Sequence, residues 1–200
     1  MPPLTNEDAI IKDTIRTLKL EKKFPKAVAV ILLAPPGAGK YELADRLERE
    51  LGITHLKVDE IKHYLAPRSG VFDSLDHVTE FALQVMTELV KSGYACVLDR
   101  NVNRKGYREK FKLDIEAAGG ELVEVEIVCP DDVAFAGVRQ DNSEYIGGER
   151  EGNILDRPLW EFKKSQVEPP IGENRYQISC QYTGQDWQRF TNFLKLKLTS

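Results

Sequence analysis

Between Pro35 and Tyr41 the chain reads Pro-Pro-Gly-Ala-Gly-Lys-Tyr, and these residue types in this order suit the holding of phosphate. Glycines at 37 and 39 let backbone N–H groups curl around an anion without Cβ clashes. Lys40 places a point charge at the outer phosphates. A helix starting here adds the partial positive charge of its N-terminus. The pattern G-x-x-x-x-G-K-[ST] is met except at its ends, where Ala34 and Tyr41 stand. Alanine opens the loop and is a mild change. Tyr41 is the larger one, because the short hydroxyl that normally binds Mg²⁺ is replaced by a phenol on a long rigid stem. The expected nucleotide-binding set is Pro36, Gly37, Ala38, Gly39, Lys40 and Tyr41, with ATP or GTP and Mg²⁺ as ligands.

Further groups fall where such a loop needs them. Asp59, in Val58-Asp59-Glu60-Ile61-Lys62, follows a short apolar segment and is positioned to accept the proton of an attacking hydroxyl. Lys62, three positions on, shares a helix face with it and would hold an anionic group of the acceptor. The alternative makes Asp59 a helix cap and Lys62 a solvated charge. Asp99 directly follows Ala95-Cys96-Val97-Leu98 and is the expected metal-side carboxylate, or else a cap for the next turn. Arg104 and Arg108 belong to a basic stretch, from Arg100 to Lys112, that reads either as acceptor-binding or as a solvated helix face. Arg139, Arg150 and Arg157 flank or lie in Gln140–Asp156, a polar segment with Gly147, Gly148 and Gly152 that reads as a mobile lid loop. Guanidinium groups on a lid neutralise charge on a transferred phosphoryl group, which makes Arg139 and Arg150 catalytic candidates beside Lys40 and Asp59. Acids at 149 and 151 offer Arg150 surface pairing instead.

The elements that must carry these residues follow from periodicity. Ala27–Ala34 is a continuous apolar run that suits a strand buried on both faces. Gly37–Leu51 reads as a helix stopped by Gly52. Thr54–Val58, Ala95–Leu98, Leu122–Cys129 and Tyr176–Tyr182 read as strands. Helices are expected over Asp73–Ser92, around Tyr107–Ala118, over Asp131–Arg139, Pro158–Val167 and Trp187–Leu198, and over Thr5–Glu21 with Thr5 as N-cap. Strands separated by helical crossovers imply a parallel sheet covered on both sides.

The balance of 28 Lys+Arg against 32 Asp+Glu leaves a net charge of −4, which speaks against nucleic acid as the main partner. With 42% hydrophobic and 30% charged residues, the chain fits one globular domain with a sizeable core. The N-terminus does not read as a secretory signal, and no apolar run approaches the ~20 residues of a membrane span. Cys96, Cys129 and Cys180, odd in number and far apart, read as reduced buried residues of a cytoplasmic protein. His55, His63 and His77 form no metal-binding pattern and read as surface or boundary packing.

PPGAGK, VDEIKHYL, VLDRNVNRKGYREKF, VEIVCPDDVAFAGVRQ and ILDRPLWEFKKSQVEPP together resemble the small P-loop kinases of the zeta-toxin, gluconate-kinase and polynucleotide-kinase type, including AAA-type ATP-binding kinases. The resemblance runs from about Lys26 to Tyr182. It implies an α/β, three-layer P-loop NTPase of nucleoside-kinase-like type, with a five-stranded parallel sheet and a lid loop at about 140–157. Residues 1–24 would form an extra N-terminal helix outside the kinase-like domain of 25–200. It also implies nucleotide binding at Gly37, Gly39 and Lys40, an acceptor-side aspartate at Asp59 and a lid arginine at Arg139. The arginine usual three residues after that aspartate is Lys62 here, which keeps the charge and loses the two-pronged grip. The implied activity is transfer of the γ-phosphoryl group of ATP to a hydroxyl of a small molecule or nucleotide. Two alternatives stand beside it: a nucleotide-binding module disabled by Tyr41, and a polynucleotide 5′-kinase.

Overall fold

Six consecutive apolar residues make a strand that water can reach on neither side. In the computed structural model, which describes residues 7–65, 75–146 and 155–199, Val28–Leu33 forms β1 and is buried throughout. Val28, Val30 and Leu32 enter one core, and Ala29 and Ile31 enter another on the opposite face. The other strands are β2 (Thr54–Leu56), β3 (Cys96–Leu98), β4 (Glu121–Val128) and β5 (Arg175–Ser179). They form one five-stranded sheet in the order β2-β3-β1-β4-β5, with every pairing parallel.

Helices cover both faces. Helix α1 (Glu7–Thr17), α3 (Val58–Leu65), α4 (Leu75–Lys91) and α5 (Lys105–Ala117) close the core that holds Ile31, Phe81, Met86 and Phe111. Helix α2 (Lys40–Leu51), α6 (Asp131–Ile146), α7 (Arg157–Ser165) and α8 (Gly184–Thr199) close the core of Leu32, Leu47, Trp160 and Phe190. The chain leaves β1 for β2 and β3 on one side, then crosses to β4 on the other. The carboxyl end of β1 is therefore the topological switch point, where open parallel sheets present their binding crevice.

Three sequence readings change. Helix α6 continues to Ile146 through the stretch read as the start of a loop. Asn142 holds it there, donating to the Leu155 carbonyl (2.8 Å) and accepting from the Leu155 amide (3.0 Å). Gly147, Gly148, Arg150, Gly152 and the Thr5 cap lie outside the described residues. Strand β2 ends at Leu56, so Asp59 falls in the first turn of α3. Cys129 and Cys180 are joined by a disulfide, with Cα atoms 5.2 Å apart. They follow neighbouring strands β4 and β5, which brings together residues separated by 51 positions. Only Cys96 keeps a free thiol, and its burial pushes the pKa up. The pairing removes the cysteine-based reason for a reducing compartment. Among the described residues, no helix is long and apolar enough to cross a membrane.

Arg108 is the largest correction. Expected at an acceptor, it has no exposed surface and is committed to backbone. Its guanidinium donates to the carbonyls of Val102, Asn103, Glu168 and Pro169 at 2.6–3.2 Å. Nε faces Glu124 at 3.4 Å, an ion-pair distance rather than a hydrogen bond. Glu124 also accepts from the Ile171 amide, and burial holds its carboxyl above the ordinary range despite both partners. One side chain thus ties the β3–α5 connection, β4 and the α7–β5 connection together. Removing one member of such a buried pair costs about 3–5 kcal/mol. Arg108→Met is therefore expected to lower the urea unfolding free energy by about that amount; a loss below about 1 kcal/mol would show that the cluster is not structural.

Candidate active site at the carboxyl end of β1

The loop after β1 has the backbone its glycines permit. Gly37 and Gly39 both lie in the left-handed region, at φ 78° and 80°. Gly39 is the N-cap of α2, and no side chain occupies the cap. The first amides of a helix have no intrahelical acceptor, so those that open α2 are available to an anion.

Three contacts from other elements fix the loop. Asn101, two residues past Asp99, donates to the Ala34 carbonyl (2.7 Å) and accepts from the Ala34 amide (3.0 Å). The Trp160 indole N–H, on α7, donates to the Pro36 carbonyl at 3.0 Å. Gly137, on α6, meets Gly37 backbone to backbone. A Cβ on Gly37 would overlap the Ala134 carbonyl and come within 2.7 Å of the Val138 amide; one on Gly137 would overlap the Gly37 carbonyl. Sequence reading missed Asn101, Trp160 and Gly137. Only their positions in the fold mark them, since an asparagine, a buried tryptophan and a helical glycine have many other uses.

Lys40 turns back on this loop, with Nζ 3.2 Å from the Pro35 carbonyl and 3.5 Å from that of Ala34. Burial lowers its pKa to about 8, against the pull of Asp99, Glu42 and Asp141. It therefore carries its charge at neutral pH and loses it in the mildly alkaline range. Asp99 stands near it but is already engaged. Oδ1 accepts from the Val58 amide at 3.1 Å, capping α3, and Oδ2 lies 3.2 Å from Nε2 of His55. The capping alternative therefore describes part of its role. Tyr41 is partly exposed, and its ring meets that of His55 edge-on at 5.2 Å. His55 is buried, not at the surface or boundary.

Two cavities flank these groups. One, of about 760 Å³, is lined by Gly37 through Glu42, by Asp99, by Gly137 and Asp141 of α6, and by the Cys129–Cys180 disulfide. The other, of about 700 Å³, is lined by Arg100, Asn101, Arg104 and Lys110, and by Thr79 and Glu80 of α4. Asn101 thus borders the second cavity and clamps the loop of the first. Arg104 lines the second cavity. Asp59 and Lys62 are exposed on α3 and line neither cavity. Arg139 is exposed, with its guanidinium over the Phe135 ring at 5.9 Å, and it also lines neither. Two residues from Gly137, it lies about 200° round the helix from the face that meets the loop. Arg150 is outside the described residues.

The overall fold is shared with solved structures. The chain is similar to a gluconokinase from Sinorhizobium meliloti, at 17% identity and a TM-score of 0.56 over 88% of this chain and 95% of that one. It is similar to the Mycobacterium tuberculosis APS kinase CysC, solved with AMPPNP and APS, at 20% identity and a TM-score of 0.58 over 86% and 99%. It is also similar to Chaetomium thermophilum Kti12, solved with ADP-AlF3, at 12% identity and a TM-score of 0.64 over 86% and 100%. No family model and no curated protein matches the chain. The chain has the P-loop kinase-like fold.

The Gly37–Gly137 contact leaves no room for a methyl group. Gly137→Ala is expected to lower stability in urea by about 1–3 kcal/mol through overpacking. Gly106→Ala is the control, because nothing lies within 4 Å of its Cβ position. It is expected to be neutral or stabilising, since alanine favours a helix by up to about 1 kcal/mol. Equal effects of the two substitutions would refute the close contact.

Proposed function

We propose that the protein is a nucleotide-dependent phosphotransferase that moves the γ-phosphoryl group of ATP or GTP to a hydroxyl of a small, anionic acceptor. The observation that carries this reading is the loop itself: two left-handed glycines, an uncapped helix start and Lys40 at the carboxyl end of the central strand. The amides of Gly37 to Tyr41 hold the β- and γ-phosphates, and Lys40 swings from the loop carbonyls onto the outer oxygens. Mg²⁺ would reach the site on the nucleotide. Asp99 fits this ion as a holder of its water shell, because its oxygens retain acceptor capacity beyond the His55 and Val58 contacts. When bound, the ion supplies charge neutralisation on the transferred group.

Around the second cavity Arg100, Arg104 and Lys110 outnumber Glu80 and Glu168, a balance that favours an acceptor with a negative group. An acceptor that extends out of this cavity to the exposed face of α3 would give its hydroxyl proton to Asp59 and be steadied by Lys62. ADP release measured over phosphorylated or carboxylated alcohols is the direct trial. Magnesium-dependent turnover with an anionic acceptor, lost in Asp59→Asn with nucleotide binding retained, is the expected result. Tight ATP binding with no turnover on any acceptor would count against it.

That outcome would favour a second reading, a nucleotide-binding module without phosphoryl transfer. Its support is that Tyr41 stands in place of the metal-binding hydroxyl and Asp99 is partly engaged by His55 and Val58. Tyr41→Thr would then create magnesium-dependent ATP hydrolysis. Wild-type turnover equal to that of the variant ends this reading.

The lowered pKa of Lys40 gives a pH test. Below about 8 the lysine is charged before ligand arrives, and affinity for ATP is at its plateau. Above about 8 the free protein has lost that proton and the bound phosphates restore it, so binding takes up a proton and affinity falls as pH rises. Calorimetry in buffers of different ionisation enthalpy should show this uptake near pH 9 and not near pH 6. In Lys40→Met the uptake should vanish. Proton release at pH 9 would contradict the assignment.

A further inference from the structure

His55 lies on β2, behind the loop helix, and its side chain is completely buried. Its Nε2 faces Asp99 at 3.2 Å, whereas its Nδ1 is buried without any hydrogen-bond partner. A buried ring nitrogen left bare is costly unless something meets it. Helix α2 brings Asp45 and Glu48, three residues apart on one face, close to the same ring. Their carboxylate oxygens and a ring nitrogen of His55 all lie within 4.8 Å of one another.

We propose that Asp45, Glu48 and Nδ1 of His55 bind a first-row divalent cation of the Zn²⁺ type, with Asp99 orienting the imidazole from behind. One imidazole with two carboxylates suits a borderline cation better than a purely oxygen-seeking one. The Asp99 contact has a defined part in this. When Nε2–H donates to a carboxylate, the tautomer is fixed with its lone pair on Nδ1, the arrangement found behind metal-bound histidines. Ligand atoms about 2.0–2.2 Å from a common ion sit about 3.3–3.6 Å apart in tetrahedral geometry, so the two partly exposed carboxylates need only a small closure. Asp45 now pairs with Arg49 at 3.0 Å. That pair is solvent-exposed, and such pairs are easily exchanged. Lys57 also stands nearby, engaged with Glu60 at 3.4 Å. Three protein ligands leave a coordination position for water. Asp45 also lines the loop cavity, whereas Glu48 and His55 line a smaller one beside Lys57 and Glu60; cation binding here does not depend on the proposed activity.

The test is Zn²⁺ titration by isothermal calorimetry of the full chain under non-reducing conditions, where Cys129 and Cys180 stay joined, and without nucleotide. One saturable site is expected. Glu48→Gln, a change on an intermediate-exposure helix face, should weaken it about 100-fold or abolish it, as should His55→Gln. Asp99→Asn should weaken it by about 10–100-fold by loosening the imidazole. Asp141→Asn, which alters the loop cavity and not this cluster, should leave it unchanged. Circular dichroism keeps misfolding of the His55 variant apart from ligand loss, and the Glu48 variant decides if that one does not fold. Absence of saturable binding below 1 mM (Kd of about 1 mM corresponds to −4.1 kcal/mol), or equal binding by wild type and Glu48→Gln, overturns the proposal.

Discussion

Everything at the crevice depends on a loop held rigid by its surroundings while the amides that open α2 remain available. A phosphate cradle must not collapse onto itself, and a string of glycines would do so if left alone. Here three different elements hold it through the groups a phosphate does not need. Asn101 takes both backbone groups of Ala34, Trp160 takes the carbonyl of Pro36, and Gly137 presses on Gly37. The same contacts connect the loop to the surrounding structure. Asn101 borders the cavity that holds Arg100, Arg104 and Lys110 beside Glu80 and Glu168, and Gly137 lies on the helix that carries Asp141 towards Lys40.

A second constraint holds the frame around the crevice. Arg108 and Glu124 are polar and buried together, and the guanidinium satisfies backbone carbonyls in loops with no ladder of their own. The carbonyls it reaches, from Val102 to Pro169, lie in the connections that bound the second cavity near Arg104 and Glu168. Asp99 does comparable work on the other side. It caps α3, orients His55 and faces Lys40, so a single carboxylate couples the loop lysine to the edge strand.

The fold was legible where a physical signal is local. The apolar run of β1, the glycine–lysine loop and the stripe of α4 each declare themselves within a few residues, and strand–helix alternation then dictates a parallel sheet. What escaped was set by contacts distant in sequence. Arg108 looks like any other cation in a basic helix, because charge patterning cannot tell a solvated face from a buried one. Cys129 and Cys180 become neighbours only when β5 is laid beside β4. The later part of α6 is polar and weakly periodic, and Asn142 holds it to the backbone of Leu155. Asp59, Lys62 and Arg139 came from a motif, and the fold places them on exposed helix faces outside both cavities.

The account stands or falls on whether the bend from Ala34 to Tyr41 receives phosphates through its main chain. Nuclear magnetic resonance of ¹⁵N-labelled protein during titration with ATP examines those amides one by one. The prediction is a saturable, one-to-one displacement that is largest at Gly37, Gly39, Lys40 and Tyr41, with β5 and α1 unmoved. Amides of this bend that stay in place under excess ATP, or that shift less than those of α1, would contradict it.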